Sequence, residues 1–184
     1  MNVSVFGSAF PTHGQPSYQD ALELGRLLGQ NGFSVMTGGY YGTMEAVSHG
    51  ANQAGADVIG VTCRQIEDYR PTGANQWVKD IQATDLLSER IEVLTSQADA
   101  FIALPGGVGT LVEVAMVYNK MAINSISSRI LILIGEGWKQ TFDAFFNGQA
   151  DNLNGHIRRI PQFAKNPREA VSLLIKSLQE KQNG

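Results

Sequence analysis

The sequence predicts an α/β fold built on a doubly wound parallel sheet, and three observations carry that prediction. Short apolar runs alternate with helix-length segments along nearly the whole chain. The runs lack the polar alternation of a sheet with one wet face, so both faces are expected to be covered. Three runs are followed by segments rich in glycine or small residues: Gly7-Ser8-Ala9, Gly38-Gly39-Tyr40-Tyr41-Gly42-Thr43 and Pro105-Gly106-Gly107-Val108-Gly109-Thr110. Folds of this class bind ligands there, beyond the carboxyl ends of their strands.

Each element follows from local pattern. Val3-Ser4-Val5-Phe6 reads as the first strand and residues 18–29 as the first helix, with Leu22, Leu24, Leu27 and Leu28 on its apolar face. Ser34-Val35-Met36-Thr37 is the second strand, residues 43–54 a helix, and Val58-Ile59-Gly60-Val61-Thr62 the third strand. From residue 63 to about 82 the pattern fades, and Pro71, Gly73 and Asn75 predict a long loop, a place where function often resides. A helix over 84–96 follows, then a fourth strand, Ala100-Phe101-Ile102-Ala103-Leu104. Next come a helix over 111–122, a fifth strand over 129–134, a helix over 138–146 and a last strand within 157–163. Asn166 as N-cap and Pro167 in the first helical position open a C-terminal helix, and the polar tail 179–184 is expected to fray. Strand-helix-strand repetition joins parallel strands through right-handed crossovers. The expectation is one Rossmann-like domain over residues 1–184.

Composition narrows the function classes. Of the 184 residues 43% are hydrophobic and 17% charged, an ordinary globular balance. A net charge of -3 supplies no basic field, so no nucleic-acid partner is expected. A single cysteine, Cys63, fits a reducing compartment. The start Met1-Asn2-Val3-Ser4 has no basic region, and no apolar run approaches the roughly 20 residues that span a bilayer. No membrane partner is expected, and the cytoplasm is the expected location.

The turn Pro105-Gly106-Gly107-Val108-Gly109-Thr110 lies between a strand and a helix. Glycines bring backbone N–H groups close to a ligand, and the first helical N–H groups have no internal partner and carry the positive end of the helix dipole. Together they favour an anion such as phosphate, with the Thr110 hydroxyl as a further donor. The plain alternative is a tight turn capped by Thr110. A Walker phosphate loop would need Gly-Lys-Ser/Thr, which is absent from the sequence. The dinucleotide fingerprint fails too, because Val112 stands where its third glycine belongs.

Two charged residues sit in apolar company. In Leu111-Val112-Glu113-Val114-Ala115-Met116-Val117-Tyr118 the only charge is Glu113. It lies three residues past Thr110 and so shares its helix face. A carboxylate so placed is costly unless paired, which makes it a candidate for chemistry. The alternative is an exposed or early-helix acid complementing the dipole. Arg90 has Leu86, Leu87, Val93 and Leu94 as its helical neighbours, so the cation is expected to emerge from a buried stripe and to need an anionic partner such as Glu113 or a ligand. The alternative is an arginine reaching to solvent from the stripe edge.

At these residues the chain resembles the LOG (Lonely Guy) family, whose members are often mislabelled as lysine decarboxylases. The family string P-G-G-x-G-T-x-x-E reads in full from Pro105 to Glu113, and Leu87-Ser88-Glu89-Arg90-Ile91 resembles the family's M-H-x-R-K stretch. Gly7-Ser8 and the segment from Gly38 to Met44 also match. The resemblance implies a nucleotide-binding domain that hydrolyses the N-glycosidic bond of a nucleoside 5′-monophosphate, AMP or a cytokinin riboside monophosphate, to free base and ribose 5-phosphate. It implies Arg90 and Glu113 as catalytic residues and Gly106, Gly107, Val108, Gly109 and Thr110 as the phosphate cradle. Further nucleotide contacts are expected from Gly7, Ser8, Gly39, Thr43 and Met44. It implies a homodimer, as does the apolar run 114–123, a helix hydrophobic nearly all round. No metal or other cofactor is expected: His13, His49 and His156 have no ligand spacing, and no lysine in the site segments offers a Schiff base. Four positions depart from the family pattern: Leu87, Ile91, Val112 and Glu45. Ile91 and Val112 remove a cation and an acid, which leaves open a member that binds nucleotides without cleaving them.

Overall fold

Alternation within the apolar strands decides the layers. In the strand Ile130–Ile134, Ile130, Ile132 and Ile134 enter one buried cluster while Leu131 and Leu133 enter a second on the opposite face. Val3 and Val5 likewise join the first cluster, and Phe6 the second. Period-two side chains thus feed two cores, one on each side of the sheet.

The computed structural model describes residues 1–126 and 130–182. Among them seven strands, β1 (Asn2–Phe6), β2 (Ser34–Thr37), β3 (Val58–Cys63), β4 (Asp80–Thr84), β5 (Ala100–Ala103), β6 (Ile130–Ile134) and β7 (Pro161–Ala164), form one sheet in the order β4-β3-β2-β1-β5-β6-β7. Every pairing is parallel. The long helices are α1 (Pro16–Gln30), α2 (Thr43–Gln53), α4 (Leu87–Ser96), α5 (Val108–Ala122), α6 (Glu136–Gly148) and α8 (Pro167–Gln182), with short helices α3 (Arg64–Tyr69) and α7 (Gly155–Arg158). Residues of α1, α2 and α8 line the first core, and those of α4, α5 and α6 the second. From β1 the chain winds outward to β4, then returns to place β5 on the other side of β1. The switch point at the carboxyl ends of β1 and β5 is where a doubly wound sheet opens a crevice.

The predicted α/β class and parallel sheet are observed, and four details are corrected. The stretch read as a loop over 63–82 contains α3 and most of β4. The latter is an edge strand with Asp80, Ile81 and Ala83 exposed, so it carries no apolar run, and its pairing with β3 from Ile59↔Asp80 to Cys63↔Thr84 gives it form. Helix α4 consequently starts at Leu87 rather than 84, with Glu89 Oε2 accepting the amides of Asp85 and Leu86 at 3.2 and 3.0 Å. The segment 157–160 is helix and turn, because Asn154 Oδ1 caps α7 by accepting from His156 and Ile157 at 3.0 Å each. The predicted frayed tail is helical through Gln182, while Asn183, Gly184 and the predicted first residue of the fifth strand, Arg129, lie outside the described residues. The N-cap of α8 is as expected, Glu169 donating its amide to Asn166 Oδ1 at 3.0 Å.

Helix α2 is set close to α1 by two glycines. A Cβ on Gly25 would collide with the Val47 carbonyl, and one on Gly50 with the Leu22 carbonyl. Because α2 begins at Thr43, this crossing fixes the turn that precedes it. Gly25→Ala is expected to cost about 1–3 kcal/mol in urea unfolding despite alanine's higher helix propensity, because backbone must shift to admit the methyl.

Candidate functional site

The glycine turn leads directly into α5. Its N-cap is Gly107, with Val108, Gly109 and Thr110 forming the first turn, so the helix begins three residues before the predicted start. Gly106 to Gly109 are exposed, with their amides at the open end of the helix dipole. Thr110 is buried and closes over Gly106, where a Cβ would strike its side chain. Thr110 therefore does not cap the helix but packs beneath the turn, correcting the plain reading of this segment. The turn also borders a hollow of about 410 Å³ on its β6 side, lined by Pro105, Gly107, Val108, Gly135 and Trp138 among others.

Glu113 lies one turn further along α5, on the flank that faces α4. It is 7% exposed, so it is neither a surface acid nor a first-turn acid. Its Oε1 lies 3.4 Å from Arg90 Nη1. Burial pushes the Glu113 carboxyl up to about 7, against the opposing pull of the Arg90 cation. Arg90 is 6% exposed. Its Nε donates to Val61 O at 2.8 Å and its Nη2 to Gly38 O at 3.2 Å, so a carbonyl within β3 and one just past β2 share the charge. Tyr40 supplies the remaining wall, its ring centroid 5.6 Å from the guanidinium carbon, within cation–π range.

The neighbours of Arg90 differ from the predicted stripe. Leu94 is buried, but Leu86 and Leu87 are 45% and 44% exposed. Leu86 precedes the helix, and it is the carbonyls of Gly38 and Val61, not a wall of leucines, that hold the cation.

The turn between β2 and α2 is built around this cation. At Gly38 a Cβ would collide with Arg90 Nη2, and the Met44 sulfur lies beside the same point. Gly39 and Gly42 take φ of +79° and +73°, conformations that glycine adopts without strain. Thr43 is buried, and its amide and hydroxyl both donate to Ser8 O, at 2.8 and 3.0 Å, so it clasps the β1 and β2 loops together. Gly7 packs against Thr43, where no side chain would fit. The chain thus brings all the predicted segments to one edge of the sheet.

Two residues here escaped the sequence reading. Tyr40 is 1% exposed, and its hydroxyl accepts the Cys63 amide at 2.7 Å and lies 3.1 Å from both Cys63 O and Glu67 Oε1. Burial raises its pKa to about 12, so it keeps its proton. Asn75, read only as a loop residue, is buried, and its Nδ2 donates to Gly39 O and Tyr40 O at 3.0 and 2.8 Å. No sequence spacing marks it, because its partners lie 35 and 36 residues away.

Residues 1–141 match the SLOG cluster4 family. Over 172 residues the chain is 34% identical to "Cytokinin riboside 5'-monophosphate phosphoribohydrolase LOG" of Oryza sativa subsp. japonica, covering 91% of this chain and 70% of that protein. The chain belongs to this LOG-type family. A Mycobacterium tuberculosis relative, "Cytokinin riboside 5'-monophosphate phosphoribohydrolase", is 31% identical over 150 residues, covering 81% of this chain and 79% of its own. Among solved structures, the molybdenum cofactor binding protein of Rippkaea orientalis superposes with a TM-score of 0.75 over 96% of both chains. At 23% identity that likeness speaks for the fold alone.

In this LOG-type chain the buried acid carries a pH signature. The Glu113 carboxyl is raised from 4.5 to about 7 in the folded protein. Between those values the folded state holds a proton that the unfolded chain has released. The stabilisation from this group is complete below about 4.5 and is lost as pH rises through about 7. Thermal unfolding across that window is expected to show a fall in stability that Glu113→Gln removes. An unchanged slope in the variant would contradict the assignment.

Proposed function

We propose that the protein hydrolyses the N-glycosidic bond of a nucleoside 5′-monophosphate, releasing free base and ribose 5-phosphate. The observation that carries this reading is the buried Glu113, paired with Arg90, one helical turn behind the exposed glycine turn. The names of the matching relatives point the same way. AMP and cytokinin riboside monophosphates are the substrates to test first.

In this reading the amides from Gly106 to Thr110 hold the 5′-phosphate at the start of α5. Gly7, Ser8, Gly39, Thr43 and Met44 shape the adjoining floor, Thr43 by clasping two loops. The C1′–N bond breaks with its electron pair leaving on the base, and positive charge develops on the sugar ring. Ionised Glu113 stabilises that charge and accepts a proton from the attacking water, whose oxygen bonds to C1′. The departing base takes up a proton from solvent, and Glu113 returns the one it accepted to solvent, so the carboxylate is restored. Arg90, fixed by the Gly38 and Val61 carbonyls, positions the carboxylate and favours its ionised form.

The assembly we propose is a homodimer through the outer face of α5. Val108, Leu111, Val112, Met116 and Ile123 are 37–79% exposed there and form a stripe at helical spacing. Val114 and Val117, from the same apolar run, are buried against the sheet. The single buried Cys63 and the acidic balance fit a cytoplasmic setting.

Incubation with a panel of 5′-monophosphates, including isopentenyladenine riboside monophosphate, is expected to release free base. Glu113→Gln is expected to lower kcat by roughly 100-fold or more. The wild-type rate is expected to rise as pH passes through about 7, where Glu113 ionises. No base from any member of the panel would overturn the reading, and retained ligand without product would assign a carrier instead. Light scattering is expected to give twice the 19.9 kDa chain mass.

A further inference from the structure

On the loops that follow β1 and β2, at the carboxyl edge of the sheet, two aromatic side chains stand in solvent. Phe10, between β1 and α1, is 84% exposed, and Tyr41, between β2 and α2, is 49% exposed. Both are presented by stiffened backbone. Ser8 Oγ accepts the Phe10 amide at 3.1 Å, Gln15 Oε1 accepts the Thr12 amide at 2.9 Å, and the Gln15 amide donates to Thr12 O at 3.1 Å. These polar side chains of the Phe10 loop are thus engaged in holding its shape, while its phenyl ring is turned outward. The Tyr41 turn is held by Asn75 from below and by the Thr43 clasp to Ser8. Gly42 lies so close to Ser8 and Ala9 that a Cβ would collide with their backbone. The two aromatic segments are therefore tied together into one rim.

That rim belongs to the site already described. Tyr41 follows Tyr40, whose ring walls the Arg90 guanidinium. Gly7 touches both Thr43 and Leu104, the residue that leads into the glycine turn. A nucleotide with its phosphate at that turn and its sugar at Glu113 has one part left to place, a flat base with two π faces. Aromatic side chains hold such a base by stacking, which is tolerant of base identity.

We infer that Phe10 and Tyr41 form a stacking platform for the nucleobase, so that base recognition here rests on ring faces supplied by the β1 and β2 loops. The inference builds on the nucleotide reading of the site. It identifies two binding residues whose substitution leaves the phosphate and sugar contacts intact.

Calorimetric titration of the full chain carrying Glu113→Gln, with AMP and with ribose 5-phosphate as separate probes, tests it. Phe10→Ala and Tyr41→Ala are each expected to weaken AMP roughly tenfold and to leave ribose 5-phosphate unchanged. Phe10→Trp is expected to retain AMP affinity. Phe10 is too exposed for its truncation to unfold the chain. Equal losses for both probes, no loss for either, or no binding of either would overturn the platform. So would a change of oligomeric state by light scattering with AMP affinity unchanged, which would make the rim a contact between copies. The two readings fail separately. Selective loss of AMP in a protein whose unsubstituted form releases no base would remove the hydrolase and keep the platform. Base release without selective loss would do the reverse.

Discussion

A cation withheld from water is the constraint around which the site is arranged. Arg90 is 6% exposed, and an unpaired charge at such depth would be strongly destabilising. Its partners come from three other places in the chain: Gly38 just past β2, Val61 within β3, and Glu113 on α5. Each partner imposes a demand on its neighbours. Gly38 can carry no side chain, because the guanidinium occupies that space. Tyr40 must lie beneath the cation, and its hydroxyl is pinned by Cys63. Asn75 then secures the carbonyls of Gly39 and Tyr40, which the sharp turn leaves without ladder partners. A stretch that looks featureless in sequence is thus tied to the β2 turn by Asn75, through its side-chain amide and its backbone N–H.

The parts of this arrangement that were legible in sequence are those written locally. Strands β5 and β6 are continuous apolar runs, and the glycine turn, Thr110 and Glu113 fall within nine consecutive residues. Arg90 was legible as an anomaly, although the reason given for its burial was partly wrong, since Leu86 and Leu87 face solvent. Strand β4 was not legible, because an edge strand with exposed Asp80, Ile81 and Ala83 needs no apolar pattern and takes its form from pairing with β3. Tyr40 and Asn75 were not legible either. Their roles depend on atoms 23 to 36 residues away, and no spacing rule within one element reaches that far.

The departures from the family string acquire different weights once placed in the fold. Val112 stands where an acid is common, yet it is 42% exposed on the outer stripe of α5 with Val108 and Met116. An acid there would face away from Arg90, so its loss leaves the buried pair intact and extends an apolar face. Ile91 replaces a cation, and it is itself buried, at 8% exposure. At that position the chain substitutes packing for charge, which leaves Arg90 as the cation paired with Glu113. The pair is thereby a two-member system whose balance is set by burial against a single guanidinium.

That balance bears on how the proposed reaction would use the acid. Burial alone favours the neutral carboxyl, Arg90 opposes it, and the outcome is a group that titrates at about 7. A phosphate bound at the glycine turn, as proposed, would add negative charge one helical turn away and push the carboxyl further toward its protonated form. Positive charge developing at the sugar carbon does the opposite and draws the proton off. In the proposed reaction ionised Glu113 would therefore interact more strongly with the transition state than with the bound substrate, and only such differential interaction accelerates a chemical step. A fully solvated carboxylate, ionised at all times and screened by water, would offer the two states nearly the same environment. In the proposed reaction, the partial suppression of charge at Glu113 would let one carboxylate discriminate between them.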